Sequence, residues 1–318
     1  MAFGFLERKG TQAEVDVSVV LPVYNHERFV TAAIESVLAQ SVQPREIICI
    51  DDGSSDGSAQ AVQDIASRTS RVRCWTRANQ GAHRTINEGV RAATSGYVAI
   101  LNSDDIFHPR RLERCLAVFE ADPEIQVVAS AIDFIDGDGR RIANPWYEGA
   151  YNFHQRVGDL GLALVNGNFL MTTSNIVARR ALFDEVGEFD ALRYAHDLDF
   201  FLRLVVEGKR VSILPQRLLT YRMHASNTIA ESHAQVRLEW AVVAAFFAER
   251  MVSFGDPRRA RPDLFHYLSR LFDVIDGHKL TKMVALSLLR ARGADRGQTP
   301  GACLADDEFR SALRELAQ

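Results

Sequence analysis

The sequence predicts an α/β protein whose mostly parallel sheet carries helices on both faces and is followed by a helical C-terminal region. Three observations predict it. Short apolar runs alternate with segments of helical spacing from residue 16 to about 124. Two of those runs end in adjacent carboxylates, Asp51-Asp52 and Asp104-Asp105. From about residue 231 onward the texture is helical throughout.

Each element follows in order. Val17-Ser18-Val19-Val20-Leu21 is the first strand, and Pro22 turns the chain because proline cannot continue a central ladder. Residues 28–40 place Phe29, Ala32, Ala33 and Val37 at near-helical spacing. Strands follow at 47–50, 72–75 and 97–101, separated by helices at 58–66 and 82–93. Pro109 opens a helix to residue 120 at its favoured first-turn position, and 125–134 is a fifth strand. Asp136-Gly137-Asp138-Gly139 makes a hairpin turn. Residues 145–158 read as an aromatic-containing loop, 171–179 as a strand and 181–186 as a short helix. A helix over 197–207 puts Leu198, Phe201, Leu202 and Val205 on one face, with strands at 211–214 and 218–221 after it. Helices are then expected at 235–250, 263–274, 279–292 and 306–316, punctuated by Pro257, Pro262, Gly277 and Gly293. The expected organisation is an extension (1–15), a domain (16–230) with halves at about 16–125 and 126–230, and a helical region (231–318).

Composition narrows the function classes. The chain has 318 residues, 47% hydrophobic and 25% charged, enough to bury a substantial core. A net charge of −4 without a long basic run argues against nucleic acid as the main partner. The N-terminus lacks the apolar core of a signal peptide, and no run approaches a membrane span. The expected location is the cytoplasm, with peripheral attachment at the inner membrane face left open. Cys49, Cys74, Cys115 and Cys303 form no CxxC pair, which predicts reduced, buried thiols.

The chemistry concentrates where strands end. Adjacent like charges repel and find few partners at a strand end, so Asp104-Asp105 suits a clamp for a hard cation or a sugar hydroxyl. Ligands of such sheets bind outside the carboxyl ends of the strands. Asp52 is placed either to shape a polar turn or to accept from a nucleobase N–H. The run from Asp52 resembles the first half of a calcium loop, but Gln63 stands where the bidentate carboxylate is required, so calcium is rejected. Tyr24, beside Asn25, serves either to cap the core or to stack a base. Gly81 suits close backbone approach at the start of the helix bearing Arg84. Asp197 and Asp199 either complement a helix dipole or carry chemistry, and Asp199 with Arg203 reads as a surface pair. His224, beside Arg222 at a strand exit, is open to a structural or a ligand role.

Taken in order, these segments resemble family 2 glycosyltransferases of the GT-A fold. The carrying residues are Val19 to Asn25, Ile50 to Asp56, Asn79-Gln80-Gly81 with Asn87 and Gly89, Ser103-Asp104-Asp105, Asp197-Leu198-Asp199 with Arg203, and Tyr221-Arg222 with His224. The match spans roughly 16–228. The resemblance implies inverting, non-processive transfer from a nucleotide-diphosphate sugar, a UDP-sugar foremost, to a hydroxyl on a glycan or lipid-linked glycan. It assigns Pro22, Tyr24, Asn25, Asp52 and Arg84 to the nucleoside, and Asp104 to the ribose. It assigns Asp105, with His224, to Mn²⁺ or Mg²⁺, and makes Asp197 the general base. Hard oxygen ligands suit those cations, and a single displacement needs one base opposite the leaving group.

Two positions depart from the family pattern. Asn102 stands where an acid is usual, and His196 where Glu usually precedes the base. The Gln-x-x-Arg-Trp motif of processive synthases is absent. A sugar-nucleotide-forming nucleotidyltransferase is disfavoured, since Asn25-His26-Glu27-Arg28 replaces a Gly-rich phosphate loop. A dehydrogenase lacks its G-x-G-x-x-G. A non-catalytic binding module would not need the acids at 52, 104, 105 and 197. In the C-terminal region, Arg258, Arg259, Arg261, Lys279 and Lys282 near Leu286, Leu288 and Leu289 form either solvated helix faces or a surface for a membrane or a second copy.

Overall fold

Alternation along the first strand sets the layers. Val17, Val19 and Leu21 point to one side of the sheet and Val20 to the other, each side burying its own apolar cluster. The computed structural model describes residues 13–253, 264–292 and 298–316. Its strands are β1 (Glu14–Val23), β2 (Gln43–Asp51), β3 (Val72–Thr76), β4 (Tyr97–Ile100), β5 (Ile106–Phe107), β6 (Ile125–Asp136), β7 (Val177–Arg179) and β8 (Arg210–Met223). They form an eight-stranded sheet in the order β3-β2-β1-β4-β7-β6-β8-β5. Pairings among β3, β2, β1 and β4 are parallel, as expected. β7 is antiparallel to both β4 and β6, and β5 is antiparallel to β8. β6 and β8 are parallel again, through a ladder interrupted by bulges. The sheet is thus parallel in its first half and mixed in its second.

Helices Val30–Leu38, Ser58–Ala66 and Arg111–Ala121 cover one face. Ala82–Ala92, Leu160–Asn166 and His196–Val206 cover the other. Gly89 permits the closest approach: a Cβ there would lie 2.3 Å from Val20 Cγ1, so only glycine lets helix and strand meet at this distance.

Several expectations change. Residues 145–158 are not a loop but helix Pro145–Val157, with Asn144 capping it by accepting from Tyr147 N, Pro145 in the first turn and Gly158 left-handed at its end. These are ordinary helix boundary signals. The helix docks through Tyr147, whose buried hydroxyl accepts from Ile132 N of β6. Leu160–Asn166 is a further helix that the pattern did not reveal. Within 171–179 only β7 is extended, preceded by a 3₁₀ turn over Thr173–Asn175. The strands expected at 211–214 and 218–221 are one bulged strand, β8. Pro109 precedes its helix rather than opening it. Asp199 and Arg203 are paired at 2.8 Å but sit inside, because Arg203 also donates to the Val186 and Glu188 carbonyls.

The helical C-terminal region is present. His233–Ser253, Leu264–Gly277, Thr281–Arg292 and Asp307–Leu316 lie close to the expected spans. They share one apolar cluster with the sheet, running from Val20 and Ile48 through Phe200 to Phe247 and Leu313. Among the described residues no helix is long and apolar enough to cross a membrane. Residues 1–12, Pro257, Arg258, Arg259, Arg261, Pro262, Asp263 and Gly293 lie outside the described residues. The four cysteines are free, and all but Cys74 are buried.

Candidate active site at the carboxyl ends of the strands

β2 and β4 flank β1, so the two acid pairs emerge on either side of its end. Each pair is held differently. Asp52 Oδ1 accepts from Gln80 N at 2.9 Å and Oδ2 from Gly81 N at 2.8 Å, while Arg77 Nη1 sits 2.6 Å from Oδ1. The carboxylate therefore holds the 77–81 loop, and Gly81, at φ 90, starts the following helix. Gly53 is left-handed beneath this loop, and a Cβ there would meet Asn79 N at 3.0 Å. Asn25, itself left-handed at φ 51, ties the loop after β1 to the loop after β2: its amide donates to Ser54 Oγ, and its Oδ1 accepts from Ser55 N. Asn is one of the few side chains that tolerates this conformation. Pro22 is half-buried at the end of β1, the Tyr24 ring is 47% exposed, and Arg84 is exposed on its helix.

The second pair divides its two members. Asp105 points inward: Ser174 Oγ donates to its Oδ2 at 2.6 Å and Arg222 N to its Oδ1 at 3.1 Å. Burial, then the adjacent Asp104 charge, pushes its carboxyl well above the usual carboxylate range. Asp104 turns the other way. Its Oδ2 lies 3.1 Å from His224 Nε2 and 3.8 Å from His26 Nε2. The expected division, Asp104 on ribose and Asp105 on the cation, thus meets a geometry in which Asp104 is the acid grouped with His224.

His26, Asp104 and His224 offer ligand atoms within 4.8 Å of one another. The donor set fits a divalent cation. Each imidazole has its Nδ1 2.8 Å from a serine hydroxyl, Ser103 for His26 and Ser226 for His224, which orients its Nε2 toward Asp104. Burial lowers the His26 pKa and favours the neutral, ligating ring. Arg222 braces this corner, donating through Nε to the Asp104 carbonyl while its guanidinium lies 4.8 Å from the Phe29 ring.

Asn102 is accounted for by its partners. Its Nδ2 donates to Thr172 Oγ1, its Oδ1 accepts from Thr173 Oγ1, and its amide donates to Ser174 Oγ. This pairing needs both a donor and an acceptor, which an acid would not supply.

Asp197 sits in the first turn of helix His196–Val206 and is buried. Its Oδ1 accepts from Leu198 N and its Oδ2 from Asn168 Nδ2 at 3.1 Å. Burial pushes its pKa up to about 7 against the lowering effect of those bonds. Tyr221 links it to the strand ends, since the charges of Asp105, Asp104 and Asp197 all reach that ring and raise its hydroxyl pKa further beyond the effect of burial. His196 is half-buried, its Nδ1 lies inside without a hydrogen-bond partner, and burial takes the ring's pKa down to about 4. It is a neutral packing residue beside the Phe189 ring.

His26, Arg77, Asn168 and Ser174 belong to this site and were not singled out in the sequence. His26 had one usable signal, a histidine shortly after an acid-flanked strand exit. The others carry none, because their partners lie far away along the chain.

An α/β sheet of this order with acids at its strand ends is the GT-A fold. Solved structures share it: a 1–349 fragment of S. aureus TarS in complex with UDP-GlcNAc (TM-score 0.57, 18% identity, covering 94% of this chain and 90% of that one). A mannosyltransferase of Pyrobaculum calidifontis in complex with GDP-Man and Mn²⁺ gives TM-score 0.58 at 18% identity, over 95% and 85% of the two chains. The model of the family described as Glycosyl transferase family 2 matches residues 18–187, and the chain belongs to that family. An uncharacterized glycosyltransferase of Nostoc sp. (strain PCC 7120) is 29% identical over 213 residues, 66% of each chain. Chondroitin synthase of Escherichia coli is 29% identical over 192 residues, which span 60% of this chain and 27% of that protein.

Proposed function

We propose that the chain transfers a sugar from a nucleotide-diphosphate sugar to a hydroxyl of a glycan or lipid-linked glycan acceptor, by single displacement with inversion. The observation that carries the reading is Asp197: a buried carboxylate in the first turn of its helix, held by Asn168 and the Leu198 amide, whose pKa burial pushes up to about 7. A general base works best when its pKa lies near the working pH. Asn168 and the Leu198 amide aim the carboxylate, and Asp197 takes the acceptor hydroxyl proton as that oxygen attacks the anomeric carbon.

His26, Asp104 and His224 would hold the divalent cation, Mn²⁺ suiting two imidazoles and one carboxylate better than Mg²⁺ does. A cation held by these residues would offset charge developing on the departing diphosphate. Asp105 orients this corner through Ser174 and Arg222. Tyr24 offers an exposed ring to the base, Pro22 and Asn25 shape that wall, and Asp52 keeps an acceptor position free on Oδ2 for a base N–H. Arg84 faces solvent nearby and would reach the donor. A UDP-sugar donor is supported by the shared fold of TarS, whose complex holds UDP-GlcNAc. The relation to chondroitin synthase supports a polysaccharide or cell-surface glycan as product.

Asp197→Asn tests the base. Turnover should fall about 10³-fold or more, while UDP affinity by calorimetry stays within twofold of the parent. Parental activity sinks the assignment, and equal loss of UDP affinity reassigns Asp197 to donor binding. In the parent, kcat should rise with pH through about 7, because the base acts only when deprotonated.

A further inference from the structure

Helix His196–Val206 begins without a capping side chain of its own. Its N-cap is Ala195, which makes no side-chain bond to the helix start, and alanine is among the poorest residues at that position. Yet the amides just before the helix are satisfied. Glu239, on the long C-terminal helix His233–Ser253, is only 9% exposed. Its Oε1 accepts from Arg193 N at 3.0 Å, and its Oε2 from Tyr194 N at 2.7 Å and Ala195 N at 2.9 Å. One buried carboxylate from another helix thus gathers three consecutive amides leading into the helix that carries Asp197. The same helices meet again one turn on, where Arg250 Nη1 lies 3.9 Å from Asp199 Oδ1. Outside it, Arg193 pairs with Glu231, which also accepts from the Tyr194 hydroxyl.

We infer that Glu239 is a positioning residue for sugar transfer: from the C-terminal helix it caps the helix of Asp197 and fixes the direction and the charge environment of that carboxylate. The inference rests on the reading of Asp197 as the base. A negative group at a helix N-terminus is favourable for the helix dipole, so the cap stabilises the helix while opposing a second negative charge close by. Glu239 does act on Asp197 in that sense, as a like charge that raises its pKa. The groups facing Asp197 are Asn168 from the 168–175 segment, the Leu198 amide from its own helix, Tyr221 from β8 and Glu239. Glu239 is the charged side chain among them. The C-terminal helical region, outside every motif of the family pattern, thereby becomes part of the catalytic apparatus.

Three variants of the full chain test this: Glu239→Gln, Glu239→Asp and Asp197→Asn. Four readouts are taken: amide hydrogen exchange over 193–199 and at Gln80 and Gly81, titration of the Asp197 carboxyl by carbon-detected NMR, UDP affinity by calorimetry, and kcat as nucleotide release from UDP-GlcNAc and GDP-mannose with Mn²⁺. Glu239→Gln should speed exchange at Arg193, Tyr194 and Ala195 at least about tenfold and move the Asp197 titration to lower pH. It should also lower kcat about 10–100-fold, the scale of a small misplacement of a reacting group. Exchange at Gln80 and Gly81, and UDP affinity, should stay parental. Glu239→Asp keeps the charge and should restore most of the titration. An Asp197 titration and exchange pattern unchanged in Glu239→Gln overturn the inference alone. Parental turnover by Asp197→Asn overturns the reading of the base and this inference with it. A Glu239→Gln protein that loses Gln80 and Gly81 protection as well shows general loosening, and that too overturns a specific positioning role.

Discussion

The Asp51-Asp52 and Asp104-Asp105 pairs look alike in sequence, and both end parallel strands flanking β1, yet they behave differently. In the first, Asp52 accepts from the Gln80 and Gly81 amides and pairs with Arg77, so its charge is offset by a loop that it shapes. In the second, Asp105 is buried against Ser174 and Arg222, while Asp104 faces two imidazoles whose Nε2 atoms are free of the serines that orient them. The first pair shapes a loop, and the second sets one acid inward and the other against two imidazoles. Two acids in a row can divide labour: in the turn after β4, Asp105 is held by Ser174 and the Arg222 amide while Asp104 approaches the two imidazoles.

The comparison breaks most directly at Asp104. Asp104→Asn should lower turnover about 10³-fold and abolish the strengthening of UDP binding by Mn²⁺ seen in calorimetry. If Asp105→Asn does this while Asp104→Asn does not, the cation belongs to Asp105 and the two halves of the pair exchange roles.

Asp197 calibrates how burial without a cation acts. Its folded-state pKa of about 7 lies above the ordinary value of 3.8, so the native state holds its proton more tightly than the unfolded chain. Stability is therefore greatest below the unfolded value and falls as pH rises from about 4 to about 7, by up to about 4 kcal/mol. Asp197→Asn should remove that fall, so its Tm should exceed the parent's at pH 8 and match it near pH 4. Parallel pH dependence in the two proteins would contradict the shift.

The smaller effects separate the pairs by stability. Asp105→Ala strands the buried Ser174 hydroxyl and Arg222 amide and should cost about 2–3 kcal/mol in urea unfolding. Asp52→Ala frees the 77–81 loop near the surface and should cost about 1–2 kcal/mol, with UDP affinity falling at the same time. Equal costs would mean that both pairs are structural to the same degree.

Much of the stretch from residue 16 to about 125 was legible because its signals are local. Period-2 and period-3.6 spacing marked β1 to β4 and their helices, and acids at the strand ends marked the site edge. The second half resisted the same reasoning. Helix Pro145–Val157 had sound boundary signals in Asn144, Pro145 and Gly158, but its interior Gly149 and Asn152 and its aromatics obscured the period. β7 is three residues long and exists because β4 and β6 bracket it, not because its sequence demands extension. Asn102 and His196 looked like losses from a pattern, and each makes sense only beside its partners, Thr172 and Thr173 for the first and the Phe189 ring for the second.

By itself, the sequence determined the fold class, the helical character of residues beyond 231, and which carboxylates and histidine to watch, since these depend on periodicity and on charge placed at strand ends. Tertiary structure alone decided which partners each acid takes, that His26 joins Asp104 and His224, and that Glu239 gathers the amides leading into the helix of Asp197. The last two contacts join residues 44 to 120 positions apart. The directions of side chains across such separations are set by packing and by the satisfaction of buried polar groups, which no local pattern encodes.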